Sequence, residues 1–192
     1  MNSSKRLHKS AELVGYKIPV PVAELDQIKR EVMEKNGLED CYIRAFSWRG
    51  SEMMGVSAQQ ASIRTCVAVW YWGNYFADKT KGIRVTMSDW RRPAPDTIPS
   101  AAKASGLYMI CTMSKHKAEA EGFSDALMLD YRGYVAELTG ANVFLIRDGA
   151  IHTPTPDCFL NGLTRQTVIE LARAGHADIV AVDKNHEVFS AE

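Results

Sequence analysis

The spacing of hydrophobic residues changes along this chain, and that change constrains the fold more than any other feature. The clearest helical pattern runs from Val22 to Lys35. Within it Leu25, Ile28 and Val32 form one stripe, which predicts an amphipathic helix that covers a sheet. Other segments are rich in β-branched and aromatic residues or alternate with period two, which predicts strands at residues 41–48, 62–72, 83–90, 125–130, 134–138, 142–146 and 150–153. A chain with both patterns is predicted to have a mixed α/β fold.

Two further helices are predicted in the second half of the chain. One runs from Ala101 to about Glu121, with Met109, Ile110 and Met113 as its buried stripe. The other runs from about Thr164 to Ala174, with Val168, Leu171 and Ala172 facing the core and Gly175 as its stop. Between them, the period-two segments and their turns at Arg132-Gly133 and Asp148-Gly149 predict an antiparallel meander.

The composition excludes several classes of partner. Lysine plus arginine and aspartate plus glutamate each total 23 among 192 residues, so no net charge attracts nucleic acid or an anionic membrane. The four cysteines are far apart and form no Cys-x-x-Cys pair, which argues against a metal site or a disulfide framework and favours the reducing cytoplasm. The chain has no apolar run of about 20 residues and no signal-peptide core, so neither a membrane span nor export is predicted.

Lys103 and Glu137 suggest cofactor chemistry. Lys103 lies among small residues at 100–106, and Glu137 lies at the end of a predicted strand. An uncrowded amine can form a Schiff base with an aldehyde cofactor, and a buried carboxylate nearby could keep a pyridine nitrogen protonated. A helix beginning near Thr164 after Gly162 would add a phosphate site. Taken singly, these residues are equally typical of surface Lys and Glu and of a Thr that caps a helix.

Four segments in order, residues 96–108, 126–133, 135–144 and 153–165, closely resemble the class IV aminotransferases, and most of all their branched-chain amino acid subgroup. The resemblance implies a fold-type IV pyridoxal-phosphate enzyme. Residues 1–74 would form part of a small α/β domain, 75–82 an interdomain loop, and 83–192 part of a larger antiparallel pseudobarrel domain that binds the cofactor. No metal is expected.

The resemblance also implies roles for individual residues around pyridoxal 5′-phosphate. Lys103 matches the Schiff-base lysine, which also acts as general acid and base. Tyr108 matches the phenol that hydrogen-bonds the cofactor 3′-oxygen, and Glu137 matches the carboxylate that pairs with the pyridine nitrogen. Leu163 and Thr164 match the phosphate-binding loop.

On the substrate side, the resemblance places Tyr42 and Arg44 on a strand that supports carboxylate recognition. Without it, Arg44 would be interpreted as part of a surface salt bridge. Trp72 and Tyr75 match aromatic residues of the pocket wall and interdomain loop. Met54 and Val56 match a loop that reaches the site of a neighbouring subunit, with ordinary loop packing as the alternative. The predicted pocket is apolar and suits leucine, isoleucine and valine.

Several expectations follow for the whole protein. The resemblance implies a branched-chain-amino-acid transaminase that uses 2-oxoglutarate, exchanges small amino acids and 2-oxo acids, and forms a homodimer or larger homo-oligomer. The chain begins after the arginine that grips the cofactor phosphate in this family and stops before a Gly-Thr-Ala turn, so we expect a fragment truncated at both ends. The alternatives are a D-amino acid aminotransferase, an aminodeoxychorismate lyase, or an inactive remnant that only associates with other subunits.

Overall fold

The computed structural model describes residues 2–73, 80–175 and 179–182. The chain divides into two compact units, an N-terminal unit of Met1–Thr80 and a C-terminal unit of Lys81–Glu192. Each unit combines helices with strands, and the prediction of a mixed α/β fold is confirmed. Within the described residues, no helix has the length and apolar character needed to cross a membrane.

The N-terminal unit packs two helices against a two-stranded sheet. Strands β1 and β2 pair antiparallel, with Tyr42 opposite Trp70 at one end and Arg49 opposite Ile63 at the other. Helix α1 packs on β1 and α2 packs on β2. Leu25 of α2 is completely buried, as its hydrophobic stripe predicts. The bounds of these elements are α1 Ser3–Leu13, α2 Val22–Lys35, β1 Tyr42–Arg49 and β2 Ile63–Trp70.

The C-terminal unit contains two three-stranded sheets. In the first, β4 pairs parallel with β3 and antiparallel with β5; in the second, β7 pairs antiparallel with β6 and parallel with β8. The bounds are β3 Val85–Met87, a 3₁₀ turn Ser105–Tyr108, α3 Met109–Ala120, β4 Asp125–Leu129, β5 Val135–Leu138, β6 Leu145–Arg147, β7 Ala150–Pro154, α4 Leu163–Ala174 and β8 Ile179–Val182.

The predicted single meander is therefore only partly correct. Both antiparallel hairpins are present, and their turns have the expected chemistry. Asp148 and Gly149 have φ angles of 51° and 80°, the left-handed conformation that a two-residue hairpin turn needs at both positions. The hairpins nevertheless lie in different sheets, because each sheet also contains a parallel strand from a distant part of the chain. Local periodicity carries no information about such distant partners.

The helix predicted from Ala101 begins at Met109 instead. Ala104 is extended (ψ 140°) and the next four residues form the 3₁₀ turn, so Lys103 precedes the helix rather than lying in its first turn. Gly106 lies inside that turn, and a glycine disfavours an α-helix interior by about 1 kcal/mol relative to alanine. Extended backbone before the helix leaves the Lys103 side chain exposed.

The predicted buried faces of α3 and α4 are also wrong. Met109 and Met113 are 65% and 45% exposed, whereas the buried face of α3 carries Cys111, Ser114 and Ala118. On α4, Leu171 is 67% exposed and the buried residue is Arg165. Hydrophobic spacing identifies a helix, but the neighbouring elements decide which face is covered.

Truncation of Phe159 should destabilise the chain strongly. Phe159 is 2% exposed and clusters with Ala136 and Cys158, so Phe159→Ala should leave a cavity and lower the free energy of unfolding by about 3–5 kcal/mol. Leu171→Ala is the control, with an expected change of about 0.5 kcal/mol or less because Leu171 is 67% exposed. Urea unfolding followed by circular dichroism measures both. Equal losses would contradict this assignment of the core.

Candidate active site around Lys103 and Glu137

Lys103 and Tyr108 form a hydrogen-bonded pair. The 3₁₀ turn brings the phenol back toward the lysine, and Lys103 Nζ donates to Tyr108 Oη at 2.6 Å. The same ammonium lies 4.8 Å from the centroid of the Tyr108 ring. The lysine is exposed and the tyrosine half-buried, so the amine is held in place yet accessible.

Glu137 is the buried acid of this unit. It lies on β5 opposite Met128 of β4 and is 9% exposed. Burial raises the pKa of its carboxyl group to about 7, although the positive charges of Arg92 and Lys103 act to lower it. Because the charge of Lys103 influences Glu137, the amine and the carboxyl group share one electrostatic environment.

Two residues that the sequence did not single out hold the Glu137 carboxyl group. Arg92 is 3% exposed, and its Nε lies 3.4 Å from Glu137 Oε1, an ion-pair contact not aligned as a hydrogen bond. Its Nη1 donates to Leu107 O and to Cys111 Sγ, both at 3.3 Å. Asn142 Nδ2 donates to the other oxygen, Glu137 Oε2, at 3.1 Å. Arg92 follows a second arginine in a proline-rich turn, so its sequence gives no sign that it is buried.

The N-terminus of α4 has the features of an anion site. Gly162 occupies the N-cap position and no side chain caps the helix. Thr164 is the second helical residue and is exposed, so the alternative that it serves as the N-cap is wrong. Amide groups in the first turn of a helix lack intrahelical acceptors and favour an anion such as phosphate. Buried Arg165 fixes the turn by donating to Thr153 Oγ1 at 3.2 Å and to Pro154 O at 3.0 Å.

In the N-terminal unit, the predicted substrate residues lie on and after the sheet. Tyr42 packs against Trp70 and Trp72, with ring centroids 5.0 and 4.9 Å away. Arg44 is exposed on β1 opposite Ala68, and it forms no ion pair with any residue in the described ranges. The salt-bridge interpretation of Arg44 therefore gains no support.

The remaining substrate residues are separate from that aromatic cluster. Met54 and Val56 are 98% and 106% exposed, so their side chains do not pack within the described part of the chain. Their predicted contact with a neighbouring subunit stays a prediction. Tyr75 lies outside the described residues.

Residues 4–185 match the model of the amino-transferase class IV family. The chain belongs to that family, as the four ordered segments predict. This match covers both units and includes all of the predicted site residues.

The relatives within the family are branched-chain enzymes. Over 170 residues the chain is 40% identical to the probable branched-chain-amino-acid aminotransferase of Rickettsia conorii, covering 88% of this chain and 57% of that protein. The solved branched-chain amino acid aminotransferase of Escherichia coli superposes with a TM-score of 0.89 at 34% identity, covering 93% and 60%. A solved branched-chain amino acid aminotransferase complexed with N-(5′-phosphopyridoxyl)-L-glutamate, from the source abbreviated T.th., gives 0.86 at 34% identity, covering 93% and 58%. The chain thus spans less than two thirds of these relatives.

Without a cofactor, the free energy of unfolding should fall as the pH rises from about 4.5 to about 7. Burial raises the pKa of Glu137 to about 7, whereas the unfolded chain releases this proton near 4.5. The folded state binds more protons than the unfolded state across this window, so rising pH favours unfolding, by up to about 3 kcal/mol.

Glu137→Gln isolates this contribution because it removes the titrating proton and keeps the shape of the side chain. The difference in unfolding free energy between the two chains, measured in urea at several pH values, should widen in favour of the variant as the pH rises. Glu34→Gln, at an exposed glutamate of α2, is the control. A difference that stays constant across the window would refute the predicted protonation of Glu137.

Proposed function

We propose that this chain carries the catalytic centre of a pyridoxal-5′-phosphate-dependent aminotransferase acting on leucine, isoleucine and valine, with 2-oxoglutarate as the acceptor. The observation that carries the proposal is the accessible Lys103 amine, which donates to Tyr108 Oη at 2.6 Å while its charge acts on the buried Glu137. The relative that was solved as a complex with phosphopyridoxyl-glutamate supports this cofactor and the role of glutamate as a substrate.

The donor set fits pyridoxal 5′-phosphate at each of its polar groups. The Lys103 amine suits the aldehyde carbon, and Tyr108 Oη suits the phenolic oxygen. Glu137 suits the pyridine nitrogen, since a ring N–H cation would offset the burial that raises the pKa of this carboxyl group. The first amides of α4, at Leu163 and Thr164, suit the phosphate.

When bound, the cofactor withdraws electrons from the amino acid attached to its aldehyde carbon, which makes the substrate Cα proton acidic. Lys103 Nζ is the base that takes this proton, and as the conjugate acid it returns a proton later. Tyr108 Oη orients the lysine by accepting its hydrogen bond. Glu137 accepts the pyridine N–H and keeps that proton on the ring nitrogen, supported by Arg92 on one oxygen and Asn142 on the other.

We assign substrate recognition to the N-terminal unit. Tyr42 and Trp72 supply an aromatic wall for a branched side chain, and Arg44 supplies a cation for the recognition of a carboxylate group. Tyr75 is assigned to the same pocket from the sequence alone. The names of the branched-chain relatives support this substrate class.

We further assign a homodimer or larger homo-oligomer, in which Met54 and Val56 reach the site of a neighbouring subunit. Their exposures of 98% and 106% leave both side chains available for such a contact. Val56→Ser should therefore weaken assembly, measured by light scattering across a dilution series. The reducing cytoplasm is the proposed compartment, supported by four free cysteines, of which Cys111 and Cys158 are buried.

Lys103→Ala should abolish covalent attachment of the cofactor. The unaltered chain should retain pyridoxal phosphate after borohydride reduction, and peptide mass spectrometry should locate it on Lys103. Lys117→Ala, at another exposed lysine of the same unit, should leave that attachment unchanged. In the longer protein that contains this chain, Lys103→Ala should also lower transamination at least about 100-fold. An adduct that persists in Lys103→Ala would refute the assignment.

A substrate panel separates the proposed reaction from its alternatives. L-Leucine, L-isoleucine, L-valine and D-alanine should be assayed with 2-oxoglutarate, on this chain and on the longer protein. Release of pyruvate from aminodeoxychorismate tests the lyase alternative. Turnover of the three branched L-amino acids alone supports the proposal, whereas preferential turnover of D-alanine or pyruvate release contradicts it.

A further inference from the structure

Asn142 lies between the two ends of the proposed cofactor site. Its backbone forms an isolated antiparallel bridge with Glu137, which places the carboxamide beside the Glu137 side chain. Nδ2 donates to Glu137 Oε2 and to Leu160 O, both at 3.1 Å. Oδ1 accepts the backbone N–H of Gly162 at 3.2 Å. One half-buried side chain therefore contacts both the buried acid and the N-cap of α4.

The three partners fix the orientation of this carboxamide. Glu137 and Leu160 offer only acceptors, so they require the NH₂ group, and Gly162 offers an N–H, so it requires the oxygen. A flipped carboxamide would lose all three hydrogen bonds. The bond to the carboxylate is also of the stronger, charge-assisted kind whenever Glu137 is ionised.

Gly162 is packed directly against Asn142. A Cβ atom added at Gly162 would lie 2.3 Å from Asn142 Oδ1, a separation that forces one of the two to move. The next nearest side-chain atoms are 3.5 Å away on Asn142 itself and 4.0 Å away on Arg165, so Asn142 is the main obstacle. This close contact is a second observation, independent of the hydrogen bonds, that Asn142 and the start of α4 fit together.

We propose that Asn142 is a positioning residue that links the Glu137 carboxylate to the first turn of α4, so that the groups for the pyridine nitrogen and for the phosphate keep a fixed separation. The inference rests on the proposed function, which assigns those two groups to one cofactor. Asn142 itself need not touch the cofactor. A displacement at the phosphate end is transmitted through the carboxamide to the pyridine end, and the reverse also holds.

Two probes separate the ends of the site. Pyridoxal 5′-phosphate uses both ends, whereas pyridoxal lacks the phosphate and depends on the pyridine end. Equilibrium titration of the 192-residue chain with each probe gives two affinities, and their ratio reports the contribution of the phosphate. Asn142→Ala should lower the affinity for pyridoxal about tenfold and should also lower the ratio about tenfold. Asn142→Asp keeps the acceptor for Gly162 and loses the donors, so it should affect pyridoxal most.

Gly162→Ala provides the decisive variant, because it alters the phosphate end alone. If Asn142 couples the two ends, the added Cβ pushes the carboxamide away from Glu137, and the affinity for pyridoxal falls although this probe has no phosphate. In the Asn142→Ala background the clash is gone, so Gly162→Ala should produce little further loss of pyridoxal affinity. Asn161→Ala is the matched control. Its carboxamide accepts from Arg165 at 3.0 Å in the same loop, so it should lower only the ratio.

The outcomes distinguish this inference from the proposed function. If the unaltered chain binds neither probe, the proposed function is wrong and the inference falls with it. If the unaltered chain binds both probes but Gly162→Ala leaves the pyridoxal affinity unchanged, the coupling is wrong and the proposed function stands. A purely structural role for Asn142 would lower the midpoint of urea unfolding in Asn142→Ala without changing either affinity of the folded chain, which would also overturn the inference.

Discussion

A buried carboxyl group at Glu137 is the constraint on which the organisation of the C-terminal unit depends. A carboxylate removed from water is costly unless charged or hydrogen-bonding groups surround it. Here the two oxygens are held separately, with Arg92 Nε 3.4 Å from one and Asn142 Nδ2 3.1 Å from the other. The pKa of Glu137 still rises to about 7, so these partners do not fully offset its burial. The site thus leaves room for one more cation, as a protonated pyridine nitrogen would be.

Each partner of Glu137 also connects it to a different part of the site. Arg92 donates to Leu107 O, within the 3₁₀ turn that carries Tyr108 next to Lys103. Asn142 bonds Gly162, the N-cap of α4. The amine, the acid and the helix N-terminus are therefore arranged around one buried group rather than on three independent loops. Such preorganisation by surrounding hydrogen bonds is what holds catalytic groups in productive geometry.

A second polar network supports the turn after β4. Arg132 pairs with Asp130 at 2.5 Å and with Asp157 at 2.9 Å, while Asp130 also accepts the backbone N–H groups of Arg132 and Tyr134. Asp157 precedes the buried Cys158 and Phe159, and its carbonyl accepts a hydrogen bond from Ser100 at 3.4 Å. This network joins the β4–β5 turn to the segment just before Lys103, so the position of the lysine depends on side chains from distant parts of the chain.

The sequence by itself determined the local elements and the chemical groups. Periodicity predicted α2 at its observed bounds, glycine chemistry predicted the turn at Asp148-Gly149, and the ordered segments predicted the family together with Lys103, Tyr108 and Glu137. Only the tertiary structure decided that β3 and β8 pair in parallel, that α3 buries Cys111 rather than Met109, and that Arg92 and Asn142 hold Glu137. The physical reason is range: backbone preferences act within a few residues, whereas burial and the partners of a buried charge depend on segments that meet only when the chain folds.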